Sequence, residues 1–169
     1  MASKTLVPVE EYLRTIYHPD REYWDGEIVE RNVGEKQHAA AQGRLIGILF
    51  MWAEQQNVKL FVNPELRLKL GETLYLIPDV CVFAGEDPEE SVPTQPPYVV
   101  VEILSPDDRM KEVVEKLELF RNWGVANIWF VDPYSKKLFV YTEAGLLQVA
   151  AFQLPQFGLE IPASRIFPR

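Results

Sequence analysis

Acidic residues standing where apolar ones belong carry the first chemical signal. Glu102 interrupts an apolar run, with Val99, Val100 and Val101 before it and Ile103 and Leu104 after it. A carboxylate inside a buried strand is costly unless it is paired, protonated or bound to a metal. The structural alternative is a glutamate near a strand end that pairs with a local arginine. Asp79 follows Pro78, between the apolar run Leu74–Ile77 and a second one, Val80–Phe83. Pro-Asp is also a common turn pair, so this residue alone says little. Two acids from neighbouring strands can together hold one hard divalent cation, and Mg²⁺ favours a couple of carboxylates with several retained waters.

Three further residues can join them. A second long helix is expected over residues 107–123, with an apolar stripe of Met110, Val113, Val114, Leu117 and Phe120. At 100° per residue, Lys116 falls roughly 80° from the stripe's centre. There a long side chain can reach over the core toward the sheet. Arg109 falls near the same edge. The structural alternative for Lys116 is a surface pair with Glu112, worth about 0.2–0.5 kcal/mol. His38 belongs to the first long helix, on the face of Leu45 but two turns earlier. A place at the lip of the core near a helix N-terminus would lower its pKa and keep it neutral at pH 7. It could then hydrogen-bond a metal-bound water or a phosphate, or sit satisfied at the core edge. The chain has no GxxxxGK, GxGxxG, GxSxG, HExxH or CxxC signature, which removes the common nucleotide, serine-hydrolase and zinc chemistries.

The elements that must position these residues read as a mixed α/β chain. Residues 8–17 suit a short helix, with Pro8 in its first turn. Residues 20–31 read as a hairpin around Asp25-Gly26. Residues 35–56 form the first long helix, where Leu45, Ile48, Leu49 and Trp52 mark the buried face. Residues 59–70 and 73–83 read as antiparallel strands joined at Gly71-Glu72, with Pro78 marking a bulge, an edge or an end. Residues 85–97 are an acidic, proline-rich loop. Residues 98–104 and 126–131 are buried strands on either side of the second helix, which Gly124 ends. A hairpin over 137–142 and 146–151 follows, and residues 155–169 read as an irregular cap. The strand–helix–strand unit should be a right-handed crossover within one sheet.

Composition bounds the rest. The chain has 169 residues, one domain's worth over 1–169, with 47% apolar and 25% charged residues. That is ordinary for a folded chain and unlike a disordered one. One cysteine, Cys81, excludes an internal disulfide framework, and two histidines exclude a three-histidine metal site. The net charge of −8 argues against a domain that coats nucleic acid, though not against an enzyme with a local patch. The start, MASKTLVPVEEYL, has no apolar run of signal-peptide length. Leu45–Ala53 is far short of the ~20 residues that span a bilayer. A cytoplasmic protein with no membrane partner is expected.

Taken in order, YWDGEIVER, the His38 helix, IPDVCVF, VVVEILSPDDR, EKLELFRNWGV, ANIWFVDP and LPQFGLEIPASRIF resemble the Uma family of bacterial restriction-endonuclease-like proteins over most of the chain. The resemblance implies the PD-(D/E)xK nuclease fold: a mixed β-sheet core flanked by two long helices, here with an N-terminal and a C-terminal hairpin. It implies Asp79 and Glu102 as metal-binding acids, with the Ile103 carbonyl as a further ligand to Mg²⁺ or its substitute Mn²⁺. In that superfamily a lysine two residues past the second acid activates or orients water. Leu104 stands there instead, and the resemblance puts the lysine on the next helix as Lys116. Arg109 matches an SPxxR stretch, and Glu112 stands where relatives carry aspartate.

Two readings follow. The first is a Mg²⁺-dependent nuclease acting on nucleic acid, DNA foremost, with Asp79, Glu102 and Lys116 catalytic and His38 and Arg109 accessory. The second is a non-catalytic binding or assembly module on the same fold, favoured by the acidic balance, with Glu102 paired to Lys116 or Arg109. In either case Trp24, Tyr134 and Tyr141, read as exposed near the hairpins, could bury across a homodimer two-fold, or they could equally be core.

Overall fold

In a computed structural model, which describes residues 6–32 and 34–168, the first elements follow the local pattern closely. Helix α1 (Val9–Arg14) leads into a hairpin of β1 (Arg21–Trp24) and β2 (Glu27–Glu30). Asp25 and Gly26 both take positive φ, 48° and 98°. That pair of left-handed residues makes the tight turn whose twist matches antiparallel strands. Helix α2 (Lys36–Gln56) is the expected first long helix.

The next segment departs from expectation in an informative way. The two long strands are each broken in two: β3 (Leu60–Pro64) and β4 (Leu68–Gly71) on one arm, β5 (Leu74–Leu76) and β6 (Val80–Ala84) on the other. Pro64 pairs with Val80, and Leu68 with Leu76, so three residues on each arm lie between the pairs and the register carries through the bend, shifting only further out between Lys69 and Gly71. The hairpin bends as a unit at residues 65–67 and 77–79. Pro78 has no N–H to continue a ladder, and its arm is where the chain leaves one sheet for another. The outer half joins a four-stranded sheet in the order β2-β1-β5-β4, and the inner half joins the main sheet.

After the acidic loop come β7 (Val99–Ile103), α3 (Met110–Trp123), β8 (Asn127–Asp132), β9 (Lys137–Thr142) and β10 (Gly145–Val149). The main sheet runs β10-β9-β8-β7-β6-β3. Its β7–β8 pair is parallel and the other pairs are antiparallel. Helix α3 starts at Met110 rather than at 107, because Asp108 is spent accepting the Ser105 N–H in the preceding loop (2.7 Å). It ends at Gly124, which adopts φ 107° as the left-handed cap.

The two long helices cover opposite faces of the main sheet. Ala41, Leu45, Leu49 and Ala53 of α2 pack with Val80, Val82, Val99, Val101 and Ile103. Leu117 and Phe120 of α3 pack with Cys81, Phe83, Val100 and Phe130. Successive strand residues point to opposite faces, so β7 presents its odd residues to α2 and its even ones, Glu102 included, to α3.

Two expectations are corrected. The tail is not irregular: β11 (Ala151–Leu154) and β12 (Leu159–Pro162) form a hairpin, followed by α4 (Ala163–Ile166). Phe152, Leu154 and Ile161 are fully buried, a two-residue alternation whose short length masks it in sequence. Nor are Trp24 and Tyr141 exposed. Trp24 Nε1 donates to Glu22 (3.1 Å) and Tyr141 Oη donates to Glu118 (2.8 Å), so each polar tip has its partner within the chain. Tyr134 is exposed, at 40%. No helix among the described residues is long and apolar enough to cross a membrane.

Candidate active site

The bend of the long hairpin, the end of β7 and the start of α3 enclose a cavity of about 400 Å³, walled on one side by β1 and β2. Glu102 reaches it because the strand alternation aims it at α3. Lys116 reaches it because it sits at the edge of the α3 stripe. Its Nζ lies 2.8 Å from Glu102 Oε1 and 2.6 Å from Glu22 Oε1, and it donates a hydrogen bond to the Ile77 carbonyl (3.0 Å). The Glu102 oxygen that meets it is shut off from solvent, and the Lys116 ammonium is its charge-assisted partner. The alternative surface pair of Lys116 with Glu112 does not form; Glu112 faces Arg109 instead, at 3.8 Å.

Asp79 sits where the chain crosses from the small sheet to the main one. Its Oδ2 accepts the Ile103 N–H (2.7 Å) and lies 3.2 Å from His38 Nε2; its Oδ1 accepts from Arg31 (3.2 Å). Gln42 of α2 donates to its carbonyl (2.9 Å). Asp79 is therefore tied to α2, to β7 and to the segment after β2.

Charge follows from this crowding. Burial alone would raise the Asp79 pKa, but the hydrogen bond and charge of His38, with Lys116 and Arg31, hold it below the ordinary value. Burial pushes Glu102 up to about 8; Asp79 and Glu22 add to the rise, and Lys116 opposes it. Burial would lower the Lys116 pKa, yet Glu102, Glu22 and Asp79 together raise it. The two directions are consistent. One ammonium serves three acids, so it keeps its proton while one acid among them gives its proton up late.

His38 requires a correction. It is buried at the lip of the core as expected, but its pKa is raised, not lowered. Burial pulls it down, and the hydrogen bond and charge of Asp79 more than offset that pull. The Asp79 contact is absent from any local reading of the helix. Arg109 lines the cavity rim with its side chain 81% exposed, away from the buried acids. Ile103 lends the site its backbone, while its side chain belongs to the core against α2.

Sequence reasoning missed Glu22, Arg31 and Asp108. Glu22 is 3% exposed and accepts the Ile77 N–H (2.8 Å) as well as the Trp24 indole. The one signal for it is an acid two residues from a tryptophan on the same strand face. Asp108 accepts from Asn32 (2.6 Å), joining the segment after β2 to the loop before α3. Neither Arg31 nor Asp108 carries a local signal.

The donors suit a hard cation in part. Among the described residues, no three His, Cys, Asp or Glu side chains form a ready ligand set. Two carboxylates, a backbone carbonyl and solvent are nonetheless the composition Mg²⁺ prefers, and Glu102 brings a buried oxygen whose compensating charge is the Lys116 ammonium. Eight acids line the cavity against three permanent cations, an excess that favours cations over a bare phosphate.

The family model for Uma2, described as "Putative restriction endonuclease", matches residues 9–168. A solved structure similar to this chain is that of "a putative nuclease belonging to DUF820" from Anabaena variabilis, with a TM-score of 0.82 and 22% identity. The match covers 95% of this chain and 97% of that one, and at this identity it speaks for the fold. No curated protein matches the chain significantly.

Proposed function

The chain belongs to the Uma2 family, and from that premise we propose that it is a divalent-metal-dependent nuclease cleaving phosphodiester bonds of nucleic acid, DNA foremost. The observation that carries the reading is the meeting of Asp79, Glu102 and Lys116, from three separate elements, in one cavity. Asp79 and Glu102, with the Ile103 carbonyl, would hold Mg²⁺ or Mn²⁺. Bound there, such an ion lowers the pKa of water and neutralises charge building on the phosphate.

The chain's own residues supply the rest. His38, with Lys116 and Arg31, keeps Asp79 ionised, and the Ile103 amide orients it. His38 braces the same carboxylate from α2. Lys116 carries a charge fixed by three oxygens, and fixed charge costs no reorganisation as a reaction proceeds. Arg109, exposed at the rim and held only by a loose surface pair with Glu112, is the group to meet a phosphate of the incoming strand.

The test is cleavage of plasmid, linear and single-stranded DNA, and of RNA, with Mg²⁺ or Mn²⁺ and with chelator. Asp79→Ala and Glu102→Ala should each lose activity by about 10²-fold or more. A variant that cut at the wild-type rate would remove the reading. The closed Lys116–Glu102 ion pair favours a second reading, a non-catalytic binding module. Metal that binds the folded chain raises its melting temperature, so no shift at millimolar Mn²⁺ would support that alternative. A homodimer is proposed on Tyr134 alone, and a monomer mass by light scattering would end it.

A further inference from the structure

The ammonium of Lys116 is seated rather than merely paired. Three oxygens from three parts of the chain surround it: Glu22 Oε1 at 2.6 Å, Glu102 Oε1 at 2.8 Å and the Ile77 carbonyl at 3.0 Å. Two are anionic and all are hard donors, the kind that oxygen-seeking divalent ions take. Glu102 Oε1 is closed to solvent, so the ammonium 2.8 Å away is the cation that compensates it.

The walls of this seat do not depend on the lysine. Glu22 is anchored by the Ile77 N–H at 2.8 Å and the Trp24 indole at 3.1 Å. The Ile77 carbonyl is backbone, one residue before Pro78. Glu102 is carried by a central strand of the main sheet. Only the charge in the middle is supplied from α3, on a side chain that is 13% exposed.

We propose that this seat is a second cation position, which the chain fills with its own tethered ammonium in place of a divalent ion. Glu22 is then a positioning residue: it builds the seat and holds Lys116 beside Glu102. Lys116 limits the site to one divalent ion, the one that Asp79 and Glu102 hold under the reading above, on which this inference rests.

Mn²⁺ stoichiometry by electron paramagnetic resonance, on the full chain, tests it without reference to activity. Wild type should bind one ion, Lys116→Met two, and Lys116→Met/Glu22→Gln one again. One ion in both wild type and Lys116→Met overturns the seat, and so do two in wild type. No ion in wild type but one in Lys116→Met, lost with Glu22→Gln, supports the seat and instead overturns the reading of Asp79 and Glu102 as metal ligands. Should Lys116→Met not fold, the ammonium is read directly by ¹⁵N NMR. A slowly exchanging Lys116 Nζ signal in wild type, lost in Glu22→Gln, supports the seat, and its absence in wild type overturns it.

Discussion

Replacing Glu102 by glutamine should make the protein more stable at alkaline pH while changing little near pH 5. In the folded chain Glu102 titrates at about 8, against 4.5 for an ordinary glutamate. Burial is the main cause, and Asp79 and Glu22 add to it. Between those two values the folded state binds the extra proton, so stability falls as pH rises from about 4.5 to about 8. At about 1.4 kcal/mol per pKa unit, the full loss is at most on the order of 5 kcal/mol. Glutamine cannot ionise and has no such loss. Lys116 keeps Glu22 and the Ile77 carbonyl as partners. His38, whose folded pKa is raised, adds stability that is complete below about 6.5 and disappears as pH rises through the folded value. That slope is common to both proteins and cancels in the comparison. Thermal melts from pH 5 to 8.5 in chelator read the difference. For a chain of this size about 1 kcal/mol shifts Tm by roughly 2–4 °C, so Glu102→Gln should melt up to about 10–20 °C above wild type at pH 8.5. Parallel Tm curves for the two proteins would refute the buried, crowded carboxylate.

Asp79→Asn should lower the His38 pKa, because the Asp79 hydrogen bond and charge are what raise it against burial; an NMR titration that does not move refutes that cause. Glu22→Leu leaves the Ile77 N–H and the Trp24 indole without their acceptor and removes one of the anions around Lys116. It should cost about 3–5 kcal/mol in urea unfolding, and a loss under about 1 kcal/mol would show that the seat bears no weight. Gly124→Ala forces a Cβ into φ 107° at the end of α3 and should cost about 1–2 kcal/mol, whereas an unchanged midpoint would mean the helix ends elsewhere.

Much of this protein follows from local periodicity. The Asp25-Gly26 turn, both long helices and the two buried strands around α3 lie where spacing and turn residues put them, because periods of 2 and 3.6 belong to the backbone itself. The same periods aim Glu102 at one sheet face and put Lys116 at the edge of its helix. They do not say how far a hairpin bends. Nothing local shows that the arms around Pro64 and Pro78 leave one sheet for another, since register is unbroken through the bend.

That bend decided the site. It lays β5 beside β1 and so brings Glu22 and the Ile77 peptide to an ammonium on α3, residues spread over more than ninety positions of sequence. It also sets His38 3.2 Å from Asp79, which reverses the pKa direction that a helix end alone suggests. By itself the sequence determined which residues were out of place for their elements. Only the tertiary structure decided what each one faces, because ion pairing and burial act through space between segments that the chain's order leaves unrelated.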